Sequence, residues 1–278
     1  MKLIYFGTPA AAVRPLDAMA DAGHEIALVV SQPDRRRGRG KDLLASPVKT
    51  AALARGFPVA TPVKASEIVD DVRALDADLG VVVAFGQILP VALLDAISGG
   101  LVNVHYSLLP RWRGAAPVER AILAGDAETG VCIMAVEEGL DTGAVYAHED
   151  VVIGAEESAG ELHERLNEIG TALLVRTLPE VAATKPDPQH GETTYAEKLT
   201  VAEFELDLTR PVHELTRLVR AGNPRPGAWL ALEDGRLKVW RAHDDDGRFV
   251  PDEVQPPGKR VMTYAAWHAG HRGSDPFA

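Results

Sequence analysis

The sequence has few of the residues on which several common kinds of protein depend. Only one of its 278 residues is a cysteine, Cys132, which excludes an intrachain disulfide framework and a cysteine-ligated metal cluster. No apolar run approaches the roughly 20 residues that a membrane-spanning helix needs. The hydrophobic fraction of 46% is ordinary for a soluble globular protein. We therefore expect a cytoplasmic protein with no membrane contact.

Positive charge is also scarce. Lysine and arginine number 29 against 40 aspartates and glutamates, which gives a formal net charge of −11. Since phosphate contacts need lysine and arginine, this balance excludes an indiscriminate nucleic-acid binder. A local basic patch remains possible, and "RRRGRGK" (Arg35 to Lys41) is one. A charge run of this kind is usually a solvated surface loop, so both interpretations stay open.

Two cofactor signatures are missing. The first apolar run ends in "FGTPAAA" (Phe6 to Ala12), which lacks the G-x-G-x-x-G pattern of dinucleotide-binding turns. The stretch "HERL" (His163 to Leu166) lacks the second histidine of a zinc-binding helix. The other histidines show no ligand spacing, so we expect no metal site.

Short apolar runs rich in β-branched residues alternate with helical patterns through the first half of the chain. The strand candidates are "KLIYFG" (Lys2 to Gly7), "IALVVS" (Ile26 to Ser31), "LGVVVAFG" (Leu79 to Gly86) and "GLVNVHYS" (Gly100 to Ser107). This alternation predicts an α/β fold with a Rossmann-like, mostly parallel sheet and helices on both faces.

The composition changes after a long amphipathic helical pattern that ends near Ala183. A proline-rich polar stretch follows, and then "AWLALEDGRLKVWRA" (Ala228 to Ala242), two strand patterns around an Asp-Gly turn that is typical of a hairpin. We predict a catalytic domain over residues 1–183, a linker over 184–200 and a smaller β-rich domain over 201–278.

Asn103 and His105 end the fourth strand candidate and are two residues apart. Residues at that spacing point to the same face of a strand, and ligands of parallel sheets bind beyond the carboxyl ends of strands. An amide can stabilise the oxyanion that forms when a carbonyl is attacked, and an imidazole can transfer protons near neutral pH. The pair therefore suits acyl transfer to an amine. A polar strand end that caps neighbouring backbone is the alternative, and it is favoured for an isolated N-x-H pattern.

Asp141 lies in "VEEGLDTGAV" (Val136 to Val145), between Gly139 and Gly143. An irregular glycine-bounded loop can bring this carboxylate close to His105, where it would fix the imidazole tautomer and raise its basicity. A turn aspartate that hydrogen-bonds its own loop is the alternative.

Taken together, several stretches resemble the folate-dependent formyltransferases, most closely the members that act on methionyl-tRNA. The resemblance covers residue 1 to about Ala242 and is carried by "FGTP", "SQPDRRRGRGKDLLASPVK", "AFGQILP", "NVHYSLLPRWRGAAPVERAILAGDAETG", "GLDTGAV", "TYAEKL", "AGNPRPGAW" and "LKVWRA". The N-x-H-x-SLLP stretch with GLDTG downstream is specific to the superfamily.

The resemblance implies that Asn103, His105 and Asp141 are the catalytic residues. It implies 10-formyltetrahydrofolate as the formyl donor. The residues implied to contact the folate are Phe85, Gly86, Gln87, Ile88, Leu89, Pro90, Ser107, Leu108, Leu109, Pro110, Glu137 and Gly139.

The resemblance further implies that the acceptor is the α-amino group of methionyl initiator tRNA. We also expect the protein to be a monomer. The residues implied to contact the tRNA are Arg35, Arg36, Arg37, Arg39, Lys41, Arg111 and Arg113. The family's second domain is an oligonucleotide-binding-like β-barrel, and here it is expected to be shortened, because the family pattern ends near Ala242.

Two other functions fit the same catalytic trio. A formyltransferase acting on an amino-sugar nucleotide or on glycinamide ribonucleotide would share it, although a small acceptor would not need the basic loop at Arg35 to Lys41. A non-catalytic tRNA- or folate-binding protein is the third interpretation, and the filled catalytic positions argue against it.

Overall fold

The structure is a computed structural model that describes residues 1–36, 43–233, 235–271 and 273–277. Its contacts divide the chain into two compact units, and each unit is assembled from separate stretches of sequence. The first unit comprises Met1–Arg113, Gly130–Asp150 and Arg165–Thr194, and the second comprises Gly114–Thr129, Val151–Glu164 and Tyr195–Ala278.

The described residues form strands, α-helices and short 3₁₀ turns. The strands are β1 (Lys2–Gly7), β2 (Glu25–Val30), β3 (Arg35–Arg36), β4 (Leu43–Leu44), β5 (Val59–Ala60), β6 (Leu79–Val83), β7 (Leu101–His105), β8 (Arg113–Gly114), β9 (Glu128–Ala135), β10 (Val145–Val152), β11 (Tyr195–Ala196), β12 (Ala228–Leu232), β13 (Gly235–Asp245), β14 (Arg248–Gln255) and β15 (Met262–Thr263). The α-helices are α1 (Val13–Asp21), α2 (Pro47–Ala54), α3 (Val69–Ala74), α4 (Val91–Leu94), α5 (Pro117–Ala124), α6 (Ala159–Thr177), α7 (Val212–Gly222) and α8 (Tyr264–Gly270). Short 3₁₀ turns lie at Ala10–Ala12, Ala65–Ile68, Leu178–Glu180 and Ala202–Phe204.

A seven-stranded sheet in the order β10-β9-β7-β6-β1-β2-β5 is the centre of the first unit. The pairs β1–β2, β1–β6, β2–β5 and β6–β7 are parallel, and β9 runs antiparallel to β7. The predicted α/β fold with a mostly parallel sheet is confirmed. The carboxyl ends of β1, β2, β6 and β7 therefore share one edge, which is where open α/β sheets bind their ligands.

The inner strands of this sheet are largely apolar and buried, whereas the edge strand β10 carries exposed polar residues. Leu3, Ile4, Tyr5 and Phe6 follow one another in β1 and are all fully buried. A continuous run of this kind is typical of a parallel strand with helices on both faces, whereas a half-exposed strand would alternate apolar and polar residues. The apolar runs seen in the sequence thus place β1, β2, β6 and β7 inside the unit.

The helix α6 covers the back of β7 through a glycine. A Cβ built on Gly170 would lie 2.9 Å from Cγ1 of Val131 and 3.1 Å from Cγ1 of Val104, both tighter than ordinary side-chain contacts. Val104 is buried and points away from the face that carries Asn103 and His105. The close approach of α6 at Gly170 therefore fixes the strand that carries the candidate site.

Replacing Gly170 by leucine is expected to lower the free energy of unfolding by about 1–3 kcal/mol, because the added side chain has no room against β7 and β9. The measurement is urea unfolding followed by circular dichroism. Ala172→Leu is the matched control, since Ala172 is exposed on the same helix. Equal stabilities for the two variants would contradict the packing argument.

A four-stranded antiparallel sheet, β12-β13-β14-β15, lies in the second unit, which confirms the predicted β-rich C-terminal region. The predicted hairpin is present, with Leu232 paired to Gly235, although Asp234 of its turn lies outside the described residues. The helix α7 buries Leu215, Leu218 and Val219 on one face.

The sequence analysis missed β14. β13 continues to Asp245, and β14 pairs antiparallel with it from Asp245↔Arg248 to Lys238↔Gln255, with shifts of register between Val239 and Ala242. The signal for this hairpin was a second Asp-Gly pair. Asp246 and Gly247 have φ of 49° and 85°, and positive values at both central residues are what a two-residue hairpin turn requires.

No helix among the described residues combines the length and the apolar character that crossing a membrane requires.

Candidate active site

The carboxyl end of β7 carries Asn103 and His105 on one face, as the two-residue spacing predicts. Their neighbours on the antiparallel strand β9 are Met134, opposite Asn103, and Cys132, opposite His105. Asn103 is half-buried and His105 is 5% exposed. The amide and the imidazole therefore stand side by side at the edge of the sheet where β9 reverses direction next to the parallel strands.

Both ring nitrogens of His105 face an oxygen acceptor. Nε2 lies 2.9 Å from the carbonyl oxygen of Trp112, and Nδ1 lies 3.7 Å from Oδ2 of Asp141. A carbonyl can only accept, so Nε2 carries a hydrogen in every protonation state. Nδ1, which faces the aspartate carboxylate, is therefore the ring nitrogen that can accept or release a proton.

Asp141 reaches His105 from an irregular loop, and its side chain is 16% exposed. Its backbone has a φ of 50°, which is rare for a residue with a side chain. Gly143 allows the loop to lie against the end of β9, because a Cβ there would be 1.9 Å from the carbonyl oxygen of Ala135. The structure thus brings together all three residues that were predicted to be catalytic.

Cys132 lies beside this group but is not a plausible nucleophile. Burial raises the pKa of its thiol to about 11, so the reactive thiolate is scarce at neutral pH. Among the described residues, no group of three or more histidine, cysteine, aspartate or glutamate side chains is arranged to hold a metal ion.

The segment from Phe85 to Pro90 follows β6, and side chains from two other strand ends hold its backbone. Thr8 donates its hydroxyl to the carbonyl oxygen of Phe85 at 2.8 Å. The Nε2 of Gln32 donates to the carbonyl oxygens of Phe85 and Gly86 at 3.0 and 2.8 Å. The motif residues of "FGTP" and "SQPD" therefore shape this segment, a role that their sequence context did not indicate.

The individual side chains of this segment are placed differently from one another. Phe85 is 2% exposed and packs edge-on against Phe6 in the core. Gln87 accepts from the backbone N–H of Ala65 and donates to the carbonyl oxygen of Pro62. Gly86 is exposed, Leu89 and Pro90 are half-buried, and Ile88 is exposed.

The turn from Ser107 to Pro110 is closed by its own hydrogen bonds. Ser107 is fully buried and donates its hydroxyl to the carbonyl oxygen of Arg111 at 2.6 Å. Leu108 and Leu109 line a cavity of about 310 Å³ that Cys132 also borders. Pro110 is buried.

The loop before Asp141 is more open. Glu137 and Gly139 are both exposed. Leu140 is 64% exposed, and Ile88, in the segment after β6, is 92% exposed. Large apolar side chains left uncovered in two candidate binding segments are a typical sign of a ligand site.

The arginines predicted to contact nucleic acid fall into two groups. Arg35 and Arg36 are exposed in β3, which pairs with β4 in a small hairpin, and Arg37, Arg39 and Lys41 lie outside the described residues. Arg111 is exposed, with its guanidinium 4.5 Å from the ring centre of Trp112. Arg113 is half-buried and donates through Nε and Nη2 to Oε1 of Gln189 at 3.0 and 2.5 Å.

Two contributors escaped the sequence analysis. Trp112 has a φ of 61° and supplies the carbonyl that fixes His105, and its own N–H donates to the hydroxyl of Thr194. Gln189 donates to the carbonyl oxygens of Asp141 and Gly143. Gln189 and Thr194 belong to the stretch that the composition indicated as a linker, and no local pattern marks either residue.

Two family models match the chain over most of its length. The model described as "Formyl transferase" matches residues 1–178, and the model described as "Formyl transferase, C-terminal domain" matches residues 198–262. The second match extends about twenty residues beyond Ala242, so the family pattern does not end where the sequence analysis placed its end.

Known proteins give the same result. The methionyl-tRNA formyltransferase of Roseobacter denitrificans is 48% identical to this chain, over 94% of this chain and 87% of the relative. The methionyl-tRNA formyltransferase of Dinoroseobacter shibae is 52% identical, over 91% of this chain and 86% of the relative. The solved structure of phosphoribosylglycinamide formyltransferase from Bacillus halodurans has a TM-score of 0.57 and 25% identity, over 66% of this chain and 96% of that one. HypX from Aquifex aeolicus, solved in complex with tetrahydrofolic acid, has a TM-score of 0.68 over 96% of this chain and 46% of that one, and at 14% identity it indicates the fold alone.

The matched models, the relatives and the motifs around Asn103, His105 and Asp141 agree over both compact units of the structure. The chain belongs to the formyl transferase family.

Proposed function

We propose that this enzyme transfers the formyl group of 10-formyltetrahydrofolate to the α-amino group of methionyl initiator tRNA, for translation initiation. The observation that carries the chemistry is the grouping of Asn103, His105 and Asp141, with Nδ1 of His105 3.7 Å from the Asp141 carboxylate. The acceptor is supported by relatives named methionyl-tRNA formyltransferase that are about half identical over more than nine-tenths of the chain.

Asn103 stabilises the charge that develops on the formyl oxygen. When the acceptor amine attacks the formyl carbon, that oxygen becomes negative, and an amide N–H aimed at it lowers the barrier. The side chain projects from a strand end that is clamped between β6 and β9, so it is held in place before the reaction begins. Such preorganisation is what makes a single donor effective.

His105 and Asp141 transfer the proton from the acceptor amine to the folate nitrogen. The neutral imidazole can take the proton that the amine loses, at Nδ1, because Nε2 is already committed to the carbonyl of Trp112. The resulting imidazolium is paired with the Asp141 carboxylate. The same proton can then leave with the tetrahydrofolate nitrogen as its bond to the formyl carbon breaks, so that the site returns to its starting state.

Exposed apolar side chains support folate binding at the segments that the resemblance implies. Ile88 and Leu140 leave large apolar side chains uncovered, which a flat ring system can cover. The donor supplies the formyl carbon when bound. We propose that the segment from Phe85 to Pro90 holds it mainly through backbone and through Ile88, Leu89 and Pro90, since Phe85 lies in the core and Gln87 is engaged by backbone groups.

Further folate contacts are proposed for the turn and for the loop before Asp141. Leu108 and Leu109 are half-buried beside a cavity, and Glu137 and Gly139 are exposed. Ser107 and Pro110 are buried, and we propose that they act by fixing the shape of the turn.

One experiment tests the acceptor. The enzyme is incubated with labelled formyl donor and, in parallel, with charged initiator tRNA, glycinamide ribonucleotide and an amino-sugar nucleotide. We expect formylation of the tRNA with a kcat/KM at least a hundredfold above that for either small acceptor. A small acceptor that wins this comparison would replace the tRNA in the proposal, and deformylation without any acceptor would remove the transferase assignment.

A salt titration tests the basic hairpin. We expect the double variant Arg35→Ala/Arg36→Ala to raise the KM for tRNA and to flatten its dependence on salt, because each lost phosphate contact lowers the slope by about one unit. Both side chains are exposed. Folate KM should not change. Arg73→Ala, at another exposed arginine, is the control, and equal salt slopes for the two variants would remove the hairpin from tRNA binding.

The same proposal covers the remaining arginines and the setting. We propose tRNA contacts for Arg37, Arg39 and Lys41, on the grounds of their charge, and for Arg111, which is exposed.

We also propose a catalytic domain over residues 1–183, a linker over 184–200 and a C-terminal barrel-like domain over 201–278. One copy of the chain supplies all three catalytic side chains, which supports a monomer, and the use of charged tRNA supports a cytoplasmic location.

A further inference from the structure

We propose that Arg113 and Gln189 form a positioning pair, here called the Asp141 clamp, which holds the Asp141 loop in its reactive conformation. The inference rests on the catalytic role proposed above for Asp141. It also gives Arg113 a function other than the tRNA contact that its charge predicted. All three residues lie in the first compact unit, and so does Gly143.

The amide of Gln189 uses both of its donor hydrogens on the catalytic loop. Nε2 lies 2.8 Å from the carbonyl oxygen of Asp141 and 2.7 Å from that of Gly143. The side chain therefore bridges two backbone groups two residues apart, one of them belonging to the catalytic aspartate itself. The two hydrogens of this nitrogen are thus both used in hydrogen bonds to the Asp141 loop.

Arg113 sets the orientation of that amide. Its Nε and Nη2 both donate to Oε1 of Gln189, and a guanidinium can only donate, so the glutamine oxygen must face it and the nitrogen must face the loop. The positive charge also polarises the amide, which strengthens the bonds that Nε2 donates on the other side.

The loop needs such support because its conformation is unfavourable without it. Asp141 has a φ of 50°, a left-handed conformation that is unfavourable in a residue with a Cβ. A loop in that state persists only when its surroundings determine it. The clamp bonds the carbonyls on both sides of Thr142 and so supports the turn that aims the Asp141 carboxylate at His105.

The stretch that carries Gln189 is itself anchored at both ends. Asp187 exchanges two backbone hydrogen bonds with Val145, at 2.8 and 2.9 Å. The carbonyl oxygen of Thr194 accepts from the backbone N–H of Arg113 at 3.0 Å. A segment that composition indicates as a linker is therefore fixed to the catalytic unit where Gln189 projects.

Trp112 and Arg113 connect the two halves of the catalytic pair. The carbonyl of Trp112 fixes Nε2 of His105, and the next residue, through Gln189, fixes the backbone of Asp141. Two consecutive residues thus set the positions of both His105 and Asp141. A displacement of about 1 Å between reacting groups can cost a hundredfold in rate, which sets the scale of the expected effect.

The test compares Gln189→Ala with Gln189→Glu. The glutamate variant keeps the size of the side chain and an acceptor for Arg113, but its carboxylate cannot donate to the carbonyls of Asp141 and Gly143. We expect both variants to lower kcat by about ten- to a hundredfold, with the KM for donor and for acceptor within twofold of wild type. Melting temperature and folate binding, measured separately, show that each variant is folded.

Two further variants separate the clamp from other roles. Arg113→Ala should lower kcat by a similar factor and leave the salt slope of tRNA KM unchanged, whereas a phosphate contact would raise KM and reduce that slope. In an Asp141→Asn background, Gln189→Ala should cause no further loss, because the clamp acts through Asp141. Glu192→Ala, an exposed change in the same stretch, is the control with wild-type kinetics.

The rates are measured with whichever acceptor the wild-type enzyme formylates, so a wrong acceptor leaves the clamp test intact and is recognised from the acceptor comparison alone. The clamp is supported if Gln189→Ala and Gln189→Glu each lower kcat in the otherwise wild-type enzyme and Gln189→Ala causes no further loss of kcat in the Asp141→Asn variant. Wild-type kcat in Gln189→Glu, or a full additional loss on top of Asp141→Asn, overturns it.

Discussion

Replacing Asn103 by alanine is expected to lower kcat by about a hundredfold or more, which is the scale measured when one oxyanion donor is removed from an enzyme. The loss should fall on kcat and on kcat/KM alike, since the amide acts on charge that exists only in the transition state. The measurement is steady-state formylation with both substrates saturating. Folding should be unaffected, because Asn103 is half-buried and lies at a strand end.

Asn167→Ala is the matched control. Asn167 accepts a hydrogen bond from the hydroxyl of Tyr106 at 3.1 Å, and Tyr106 points to the opposite side of the strand from His105. Its loss should cost stability, by about 1 kcal/mol, and leave kcat unchanged. If Asn103→Ala behaved like this control, the amide would have no part in catalysis.

Asp141→Asn should be as severe, with a loss of about a hundredfold or more in kcat. The substitution keeps the size of the side chain and removes the negative charge that faces Nδ1 of His105 at 3.7 Å. An imidazolium formed there would lose its ionic partner in a site where both side chains are largely buried. The expected melting temperature is close to that of wild type, because the loop is held through the Asp141 backbone.

Glu138→Gln tests whether any carboxylate of this loop would serve. Glu138 is exposed three residues before Asp141, and its neutralisation should leave turnover within twofold of wild type. Near-normal turnover in Asp141→Asn would contradict the proposed pairing of the His105 imidazolium with the Asp141 carboxylate. A tRNA-specific rise in KM for Glu138→Gln would instead indicate that the loop touches the acceptor.

These effects are expected to be large because the site is preorganised. The strand end holds Asn103, the carbonyl of Trp112 orients His105, and Gln189 of the Asp141 clamp hydrogen-bonds the backbone of Asp141. Each side chain that we propose as catalytic is held by a contact that exists before substrates bind. The enzyme therefore does not need to form these contacts during the reaction.

The sequence by itself determined the fold class and the candidate catalytic residues that the fold brings together. Apolar β-branched runs alternating with helical patterns are a local property, and they predicted the parallel sheet that holds β1, β2, β6 and β7. The two-residue spacing of Asn103 and His105 placed both on one face, since side chains alternate along any strand. The motif with Asp141 downstream indicated the third member, and the structure places its carboxylate 3.7 Å from Nδ1 of His105.

Local patterns were misleading where turn chemistry was overlooked. The hairpin of β13 and β14 was hidden by an acidic run and by Pro251, although Asp246 and Gly247 carried a turn signal of the same kind as the hairpin that was found. This information was present in the sequence. It required weighing the Asp-Gly pair above the composition around it.

Only the tertiary structure decided which residues hold the site together. Gln189 is 48 residues from Asp141 in sequence, and Thr194 is 82 from Trp112. Nothing within a few residues of Gln189 distinguishes it from any polar side chain in a proline-rich stretch. The sequence likewise predicted a phosphate contact for Arg113 and did not indicate its hydrogen bonds to the oxygen of Gln189, which exist only in the fold. Periodicity and turn chemistry are encoded locally, whereas a hydrogen bond between distant segments exists only once the chain has brought them together.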